Sequence, residues 1–345
     1  MTPDTTTAGT ADAPLVSVVI AVYNGQELVG QAISSVLRQT HPRVEVLVVD
    51  DGSTDHTAEV LAGYTTVERP GRTVQVLTQE NAGCGAARNR ALGLVSGDFI
   101  TFLDADDELL PHHLETLLAR YEQLQEHPGR ERTVVYANGW LCTPSGINPE
   151  RVQYRERMPG PEEQRSVILE YNIGSLYGLF PRSFFEEVGA FDPEQVFVED
   201  WELWLRAIYS GWRFDRVDRV TSILAWSGGS MQSQRDRMAA GEEMALRKTL
   251  VRFEKELSPG ERDKLLRRLR EGSPLAAASD AEQAMRDGRT QDARRLLETA
   301  AAMMPSQRRV ALKARIARLP GGMRWLVSRQ RAVDASVGYT DAMRR

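Results

Sequence analysis

Three apolar runs of strand length stand out along the chain: Leu15 to Val22 (LVSVVIAV), Val44 to Val49 (VEVLVV) and Phe99 to Leu103 (FITFL). Runs with so little alternation suit central strands buried on both faces. Each ends abruptly in polar residues: Tyr23-Asn24-Gly25, Asp50-Asp51-Gly52-Ser53-Thr54-Asp55, and Asp104-Ala105-Asp106-Asp107. Between the first two runs, Leu28, Ala32 and Val36 with Val29, Ile33 and Leu37 make one stripe at helical spacing. Strand, helix and strand at these lengths make a right-handed βαβ unit with parallel strands, so the three polar ends meet at one edge of the sheet. That is the edge where open α/β sheets bind ligands.

The remaining pattern fills in around this sheet. Asn24 and Glu27 have capping-box spacing for the first helix. A helix over about Asp55 to Tyr64 and a short strand over Val74 to Leu77 lead to the loop Gln79 to Gly83. Gly83 and Gly85 are not a dinucleotide fingerprint, because the third glycine would fall at Arg88. Pro111 opens a helix with Leu114, Leu117, Leu118, Tyr121 and Leu124 toward the core and His112-His113 on its wet face. Thr133 to Tyr136 with Trp140-Leu141 suits a strand, and Cys142 to Gly160 reads as a mobile polar lip. Ile173 to Phe180, a helix over Ser183 to Val188 and the turn Gly189 to Pro193 precede a helix opened by Glu199-Asp200-Trp201.

Composition narrows the class. The chain has 345 residues, 41% hydrophobic and 26% charged, enough for a large core plus an appendage. A net charge of −5 argues against nucleic acid as the main partner. Two cysteines, Cys84 and Cys142, imply no disulfide framework and a cytoplasmic default. No stretch is long and apolar enough to span a bilayer, and residues 1–13 read as a disordered leader without signal-peptide features.

The candidate chemistry is carboxylate chemistry. Asp104 and Asp106, one residue apart after the central strand, can both turn toward a hard divalent cation that bridges to substrate phosphates, or can form a turn that caps the next helix. The five histidines have no thiolate partners at zinc-finger spacing, so the metal of choice is Mn²⁺ or Mg²⁺. Glu199 and Asp200 at a helix start either complement its dipole or take a proton from a substrate hydroxyl. Trp201 and Trp204 are core residues or a stacking platform for a ring-shaped ligand.

VSVVIAVYN, EVLVVDDGSTD, NAGCGAARNRAL and FLDADDEL, in this order, resemble the nucleotide-sugar half of the family 2 glycosyltransferases. The resemblance covers residues 14–231 and implies a GT-A fold, a Rossmann-like, mostly parallel mixed sheet flanked by helices. It also implies a nucleoside-diphosphate sugar donor, inversion at the anomeric carbon, and a divalent metal. Carried over residue by residue, it puts Ala21 and Tyr23 beside the nucleoside, Asp51 on the base, Arg88 near the nucleotide, Asp104 by the ribose and metal, and Asp106 as the main metal ligand. Asp200 is then the catalytic base, Glu199 its support, and Trp201 a residue of the acceptor side. Family members often carry a histidine where this chain has Ser227, which puts the strength of metal binding in question.

These readings divide the chain into the leader, a transferase domain at 14–231 (donor half 14–110, acceptor half 111–231) and an all-α region at 232–345. Within that region, Ala276 to Asp287 and Thr290 to Met303 resemble one tetratricopeptide-type helix pair. The basic tail from Arg308 reads as a peripheral contact with the inner face of the cell membrane, toward a lipid-linked acceptor, or as a solvated helix or homodimer contact. The function expected is sugar transfer to a hydroxyl of a glycan, glycolipid or other acceptor in the cytoplasm. The alternatives are a nucleotidyltransferase and a non-catalytic nucleotide-sugar-binding scaffold.

Overall fold

The computed structural model describes residues 12–65, 70–143, 146–225 and 235–336. They fall into two compact units: the first takes in the chain to Cys142, Ile147–Tyr154 and Gly174–Ala225, and the second Thr143–Gly146, Arg155–Ile173 and the chain from Trp226. The motif spacing gives no sign of the excursion at Arg155–Ile173, which carries the chain into the second unit and back. The leader to residue 11 and Ser227 lie outside the described residues.

The first unit is built on β1 (Val16–Val22), α1 (Val29–Leu37), β2 (Val44–Asp50), α2 (Thr57–Ala62), β3 (Arg72–Thr78), α3 (Cys84–Leu92) and β4 (Phe99–Asp104). It continues through β5 (Glu108–Leu109), α4 (His113–Gln125), β6 (Thr133–Thr143) and β7 (Gly146–Val152). After α5 (Pro161–Val167), which belongs to the second unit, it resumes with β8 (Phe180–Pro181), α6 (Arg182–Val188), α7 (Glu199–Tyr209) and β9 (Arg213–Ala225).

One sheet has the order β3-β2-β1-β4-β8, parallel except for the last pair. Its register puts Val22 opposite Asp50 and Ala21 opposite Asp104, so the expected shared edge is present. Val18, Ile20, Val46 and Val48 are buried against Ala32, Ile33 and Val36 of α1, as both-face burial of the apolar runs requires. A second sheet, β5-β9-β6-β7, turns the expected lip into strand: β6 runs through Cys142 to Thr143 and β7 occupies Gly146–Val152. Pairing along both strands satisfies backbone groups that an open loop would leave to water.

Two local expectations are corrected. Helix α1 begins at Val29 behind Leu28, which makes no side-chain cap, so Asn24 and Glu27 form no capping box. Asn24 instead takes a left-handed conformation (φ 53°) and accepts from the Thr54 N–H at 2.8 Å, tying the first βα turn to the second. His113 is buried, not wet: Nδ1 meets the Thr221 hydroxyl at 2.8 Å, while His112 stays exposed at the helix start. The helix starts at His113, one turn before Leu117 on the same buried stripe, and this places position 113 toward β9.

The second unit contains α5 and α8 (Arg235–Arg252), α9 (Pro259–Glu271), α10 (Pro274–Arg286), α11 (Thr290–Met303), α12 (Arg308–Arg318) and α13 (Gly322–Ser336). Ala281, Ala284 and Met285 of α10 pack with Ala293 and Leu297 of α11 and with Ala314, Ala317 and Leu326 of the last two helices. A lone helix pair therefore gains its core from its neighbours. Buried Glu170 accepts from Lys264 Nζ at 2.5 Å and from the Ser306 hydroxyl, and Arg268 donates to the Leu169 and Glu170 carbonyls and to Glu242.

Candidate functional site

The polar edge of the parallel sheet gathers most of the candidate residues. Asp51, 3% exposed at the end of β2, accepts from Gln79 Nε2 (2.7 Å) and from the Ala82 and Gly83 N–H groups (2.9 and 2.8 Å). It thereby folds the small-residue loop over the strand end, and Gly83 supplies the φ of 89° needed to enter α3. Ala21 is half-buried in β1, and Tyr23, 52% exposed, stands at the same edge with its ring available to a flat ligand.

Helix α3 then delivers two side chains with different tasks. Asn89 clamps the Phe191 backbone, donating to its carbonyl at 2.8 Å and accepting from its N–H at 2.9 Å. Arg88, its guanidinium 5.5 Å from the centre of the Phe191 ring, donates to Asp104 Oδ1 at 2.9 Å and to Glu199 Oε1 at 2.6 Å. The Arg88 side chain is 6% exposed; burial works against its charge, and the Asp104 and Glu199 carboxylates more than offset that and hold it protonated. The fork thus joins the acidic end of β4 to the start of α7.

Helix α7 is held there by aromatic packing. Phe102 of β4 meets Phe180 and Phe191 edge-on at 5.8 and 5.3 Å, and Phe180 stacks on Trp204 at 5.2 Å. Gly174 permits this, since a Cβ there would lie 2.7 Å from the Trp204 ring. Arg206 pairs with Glu202 at 2.8 Å and donates to the Val188 and Ala190 carbonyls, fixing the turn before the helix. Val198, immediately before Glu199, has φ 52° and ψ 37°, a left-handed conformation that costs a β-branched residue.

Glu199 and Asp200 divide their tasks. Glu199 is bound by Arg88 and by the Cys84 thiol at 3.1 Å. One Asp200 oxygen accepts from the Trp201 N–H at 2.7 Å, which satisfies one of the free N–H groups of the first turn, as an acid placed there can. Burial and then the Asp200 charge push the phenol of nearby Tyr154 above its usual pKa, with the Ser175 hydrogen bond and Arg216 opposing them. Trp201, expected on the acceptor side, is 3% exposed and has almost no face for a sugar; like the fully buried Trp204, it belongs to the core.

The residues present fit a hard divalent ion bound with its substrate. Asp106 is exposed and bonds to no other side chain among the described residues, while partial desolvation and then the Asp104 charge raise its pKa. Among the described residues no group of three or more His, Cys, Asp or Glu converges as a finished cage. Two carboxylates of this kind leave most coordination positions to phosphate oxygens and water, as Mg²⁺ and Mn²⁺ sites commonly do.

Two functional residues escaped the sequence reading. The Tyr177 hydroxyl donates to Asp104 Oδ2 at 2.9 Å and makes a second, shorter hydrogen bond to Asp107. Asp107 is 5% exposed, accepts from the Ala225 N–H at 2.7 Å, and is pushed by burial to about 7 despite the opposing Tyr177 bond. Asp107 stood in plain view in the motif, but only a partner 70 residues away marks it as a support for Asp104.

Known proteins resemble this chain in sequence and in fold. Residues 17–167 match the family model described as Glycosyl transferase family 2. WcaA of Escherichia coli K12, a glycosyl transferase named for colanic acid biosynthesis, is 31% identical over 219 residues, 64% of this chain and 75% of its own. TuaG of Bacillus subtilis 168, named for teichuronic acid biosynthesis, is 40% identical over 105 residues, 30% of this chain and 41% of its own. Among solved structures, S. aureus TarS 1-349 in complex with UDP-GlcNAc superimposes with a TM-score of 0.58 at 18% identity, covering 94% of this chain and 89% of that one. The mannosyltransferase PcManGT of Pyrobaculum calidifontis, in complex with GDP-Man and Mn²⁺, gives 0.55 at 20% identity over 93% and 87%. These likenesses show a GT-A-like fold with a helical C-terminal region. The chain belongs to glycosyl transferase family 2.

Proposed function

We propose that this glycosyltransferase is metal-dependent and inverting, and that it moves a sugar from a nucleoside-diphosphate donor to a hydroxyl of a glycan or lipid-linked acceptor in the cytoplasm. The observation that carries the reading is the Arg88 fork, which brings the carboxylate of the metal motif and the acidic start of α7 to one guanidinium. A displacement needs two such stations, one for the leaving diphosphate and one for the attacking hydroxyl.

In this reading Ala21 and Tyr23 border the nucleoside, and Asp51 holds the loop at Gln79–Gly83 and turns its remaining acceptor capacity to the base. Asp106, with Asp104 beside it, would hold Mn²⁺ or Mg²⁺. Such an ion neutralises charge on the leaving phosphate oxygen. Tyr177 and Arg88 fix the two oxygens of Asp104, so the carboxylate is oriented before the donor arrives. Asp200 accepts the proton from the acceptor hydroxyl as its oxygen attacks the anomeric carbon from the face opposite the leaving group, which inverts the centre. Glu199 holds Arg88 and sets the start of the helix.

Support for the donor class comes from the folds that resemble this one, whose complexes hold UDP-GlcNAc or GDP-Man. Support for a glycan acceptor comes from relatives named for colanic and teichuronic acid biosynthesis. The test is a pair of variants. Asp200→Asn keeps shape but cannot take the proton, so transfer falls about a hundredfold or more with donor affinity unchanged. Glu199→Gln costs less. If Asp200→Asn keeps full transfer while Glu199→Gln abolishes it, the base is Glu199; if both remain active, the start of α7 is only a cap.

A further inference from the structure

The last two helices of the second unit carry a charge pattern that the rest of the chain does not. From Arg308 to Arg331 there are eight Lys or Arg and no Asp or Glu, in a protein whose net charge is −5. On α12, Arg308, Leu312 and Arg315 follow one another at i, i+4 and i+7, with Leu319 at the cap, and all are exposed. Ala314 and Ala317 on the opposite face are buried in the same small core as Leu326 of α13. On α13, Trp325 is exposed with Arg329 5.3 Å from its ring centre, flanked by exposed Arg324 and Arg331.

Several other cations here are spent inside the unit. Lys313 pairs with Glu282, Arg318 with Glu298 and Arg309 with Glu156. Arg308, Arg315, Arg324 and Arg331 have no carboxylate partner among the described residues. They stand beside Leu312 (57% exposed), Leu319 (62%) and Trp325 (49%), each too large and apolar to be indifferent to water.

We infer that this face of α12 and α13 is a docking surface for an anionic lipid bilayer. Unpaired guanidinium groups meet phosphate head groups, Leu312 and Leu319 enter the acyl boundary, and Trp325 sits at the interface, where its ring is apolar and its N–H wet. A second copy of the chain fits less well, since the same surface on both partners would set Arg308, Arg315, Arg324 and Arg331 against the same four cations. No helix among the described residues is long and apolar enough to cross a membrane, so the contact is peripheral.

The experiment is co-sedimentation of the full chain with phosphatidylcholine vesicles with and without phosphatidylglycerol, at low and high ionic strength. The bound fraction should need phosphatidylglycerol and fall with salt. Arg315→Glu with Arg324→Glu should weaken partition at least about tenfold at an unchanged melting temperature, and Leu312→Ser with Trp325→Ser should weaken it at low salt without altering its salt dependence. No donor or acceptor enters these readouts, so their failure leaves the catalytic reading untouched. Binding to neutral vesicles alone, sedimentation unaffected by the arginine variant, or self-association through these residues with no vesicle binding would each overturn the inference.

Discussion

Arg88 and Glu199, 111 residues apart in the chain, meet at 2.6 Å, with the Arg88 side chain 6% exposed and that of Glu199 13%. The same guanidinium reaches Asp104, so one side chain sets the distance between the acidic end of β4 and the start of α7. Arg88→Ala strands two partly buried carboxylates and should cost about 3 kcal/mol, the lower end for a broken buried pair because the Asp104 side chain is 39% exposed. Arg88→Lys keeps the charge but cannot fork, so it should recover part of the stability and little of the transfer rate. Denaturant unfolding alongside kcat separates the two.

Tyr177→Phe removes one hydroxyl and both of its carboxylate bonds. Stability should fall by roughly 2 kcal/mol, the range for hydrogen bonds to charged groups. The metal concentration for half-maximal donor binding should rise about tenfold or more, because a side chain that orients a ligand contributes to affinity on that scale. A variant equally destabilised with no change in metal dependence would make Tyr177 structural only.

The parallel sheet was legible because a strand buried on both faces leaves nearly unbroken apolar runs, and Val16–Val22, Val44–Asp50 and Phe99–Asp104 are such runs. The candidate carboxylates were legible because each follows a strand end or opens a helix. Pairing was not. Nothing local says that Arg88 binds Glu199, that Tyr177 reaches Asp104, or that His113 turns inward, since each depends on which surfaces meet after folding. The second sheet was missed for a related reason: Asn148 and Pro149 interrupt the apolar pattern of β7, and its strand character comes from pairing with β6.

Val198 holds a strained backbone just before the acidic pair. Asn adopts this conformation more readily, so Val198→Asn should leave stability within about 1 kcal/mol of wild type or raise it. Transfer should nevertheless fall several-fold where the strain itself holds the acidic pair in its working position. A rate unchanged alongside raised stability would show that the strain has no catalytic use.

His113 gives a pH dependence with a definite sign. Burial lowers its pKa to about 4 from the usual 6.5, so below 6.5 the unfolded chain binds a proton that the folded chain does not. Its contribution is complete above pH 6.5 and falls as the pH drops toward 4, by up to roughly 3 kcal/mol. Asp107, held near 7, works with the opposite sign over this window, so the quantity to compare is wild type against His113→Asn. The difference in unfolding free energy between them should shrink steadily from pH 7 to pH 4; a constant difference would mean that His113 takes up its proton in the folded protein as readily as in the unfolded chain.

The proposed reaction cleaves the bond between sugar and diphosphate with inversion at the anomeric carbon. The most direct measurement incubates the full chain with a panel of nucleoside-diphosphate sugars and candidate glycan or lipid-linked acceptors, with Mn²⁺ or with chelator, and reads the nucleotide released and the anomeric configuration of the product by NMR. The predicted result is a nucleoside diphosphate, released only with metal, and a product of inverted configuration, both lost in Asp106→Ala at an unchanged melting temperature. Retained configuration, release that ignores the chelator, or donor binding with no release from any donor and acceptor pair would contradict it.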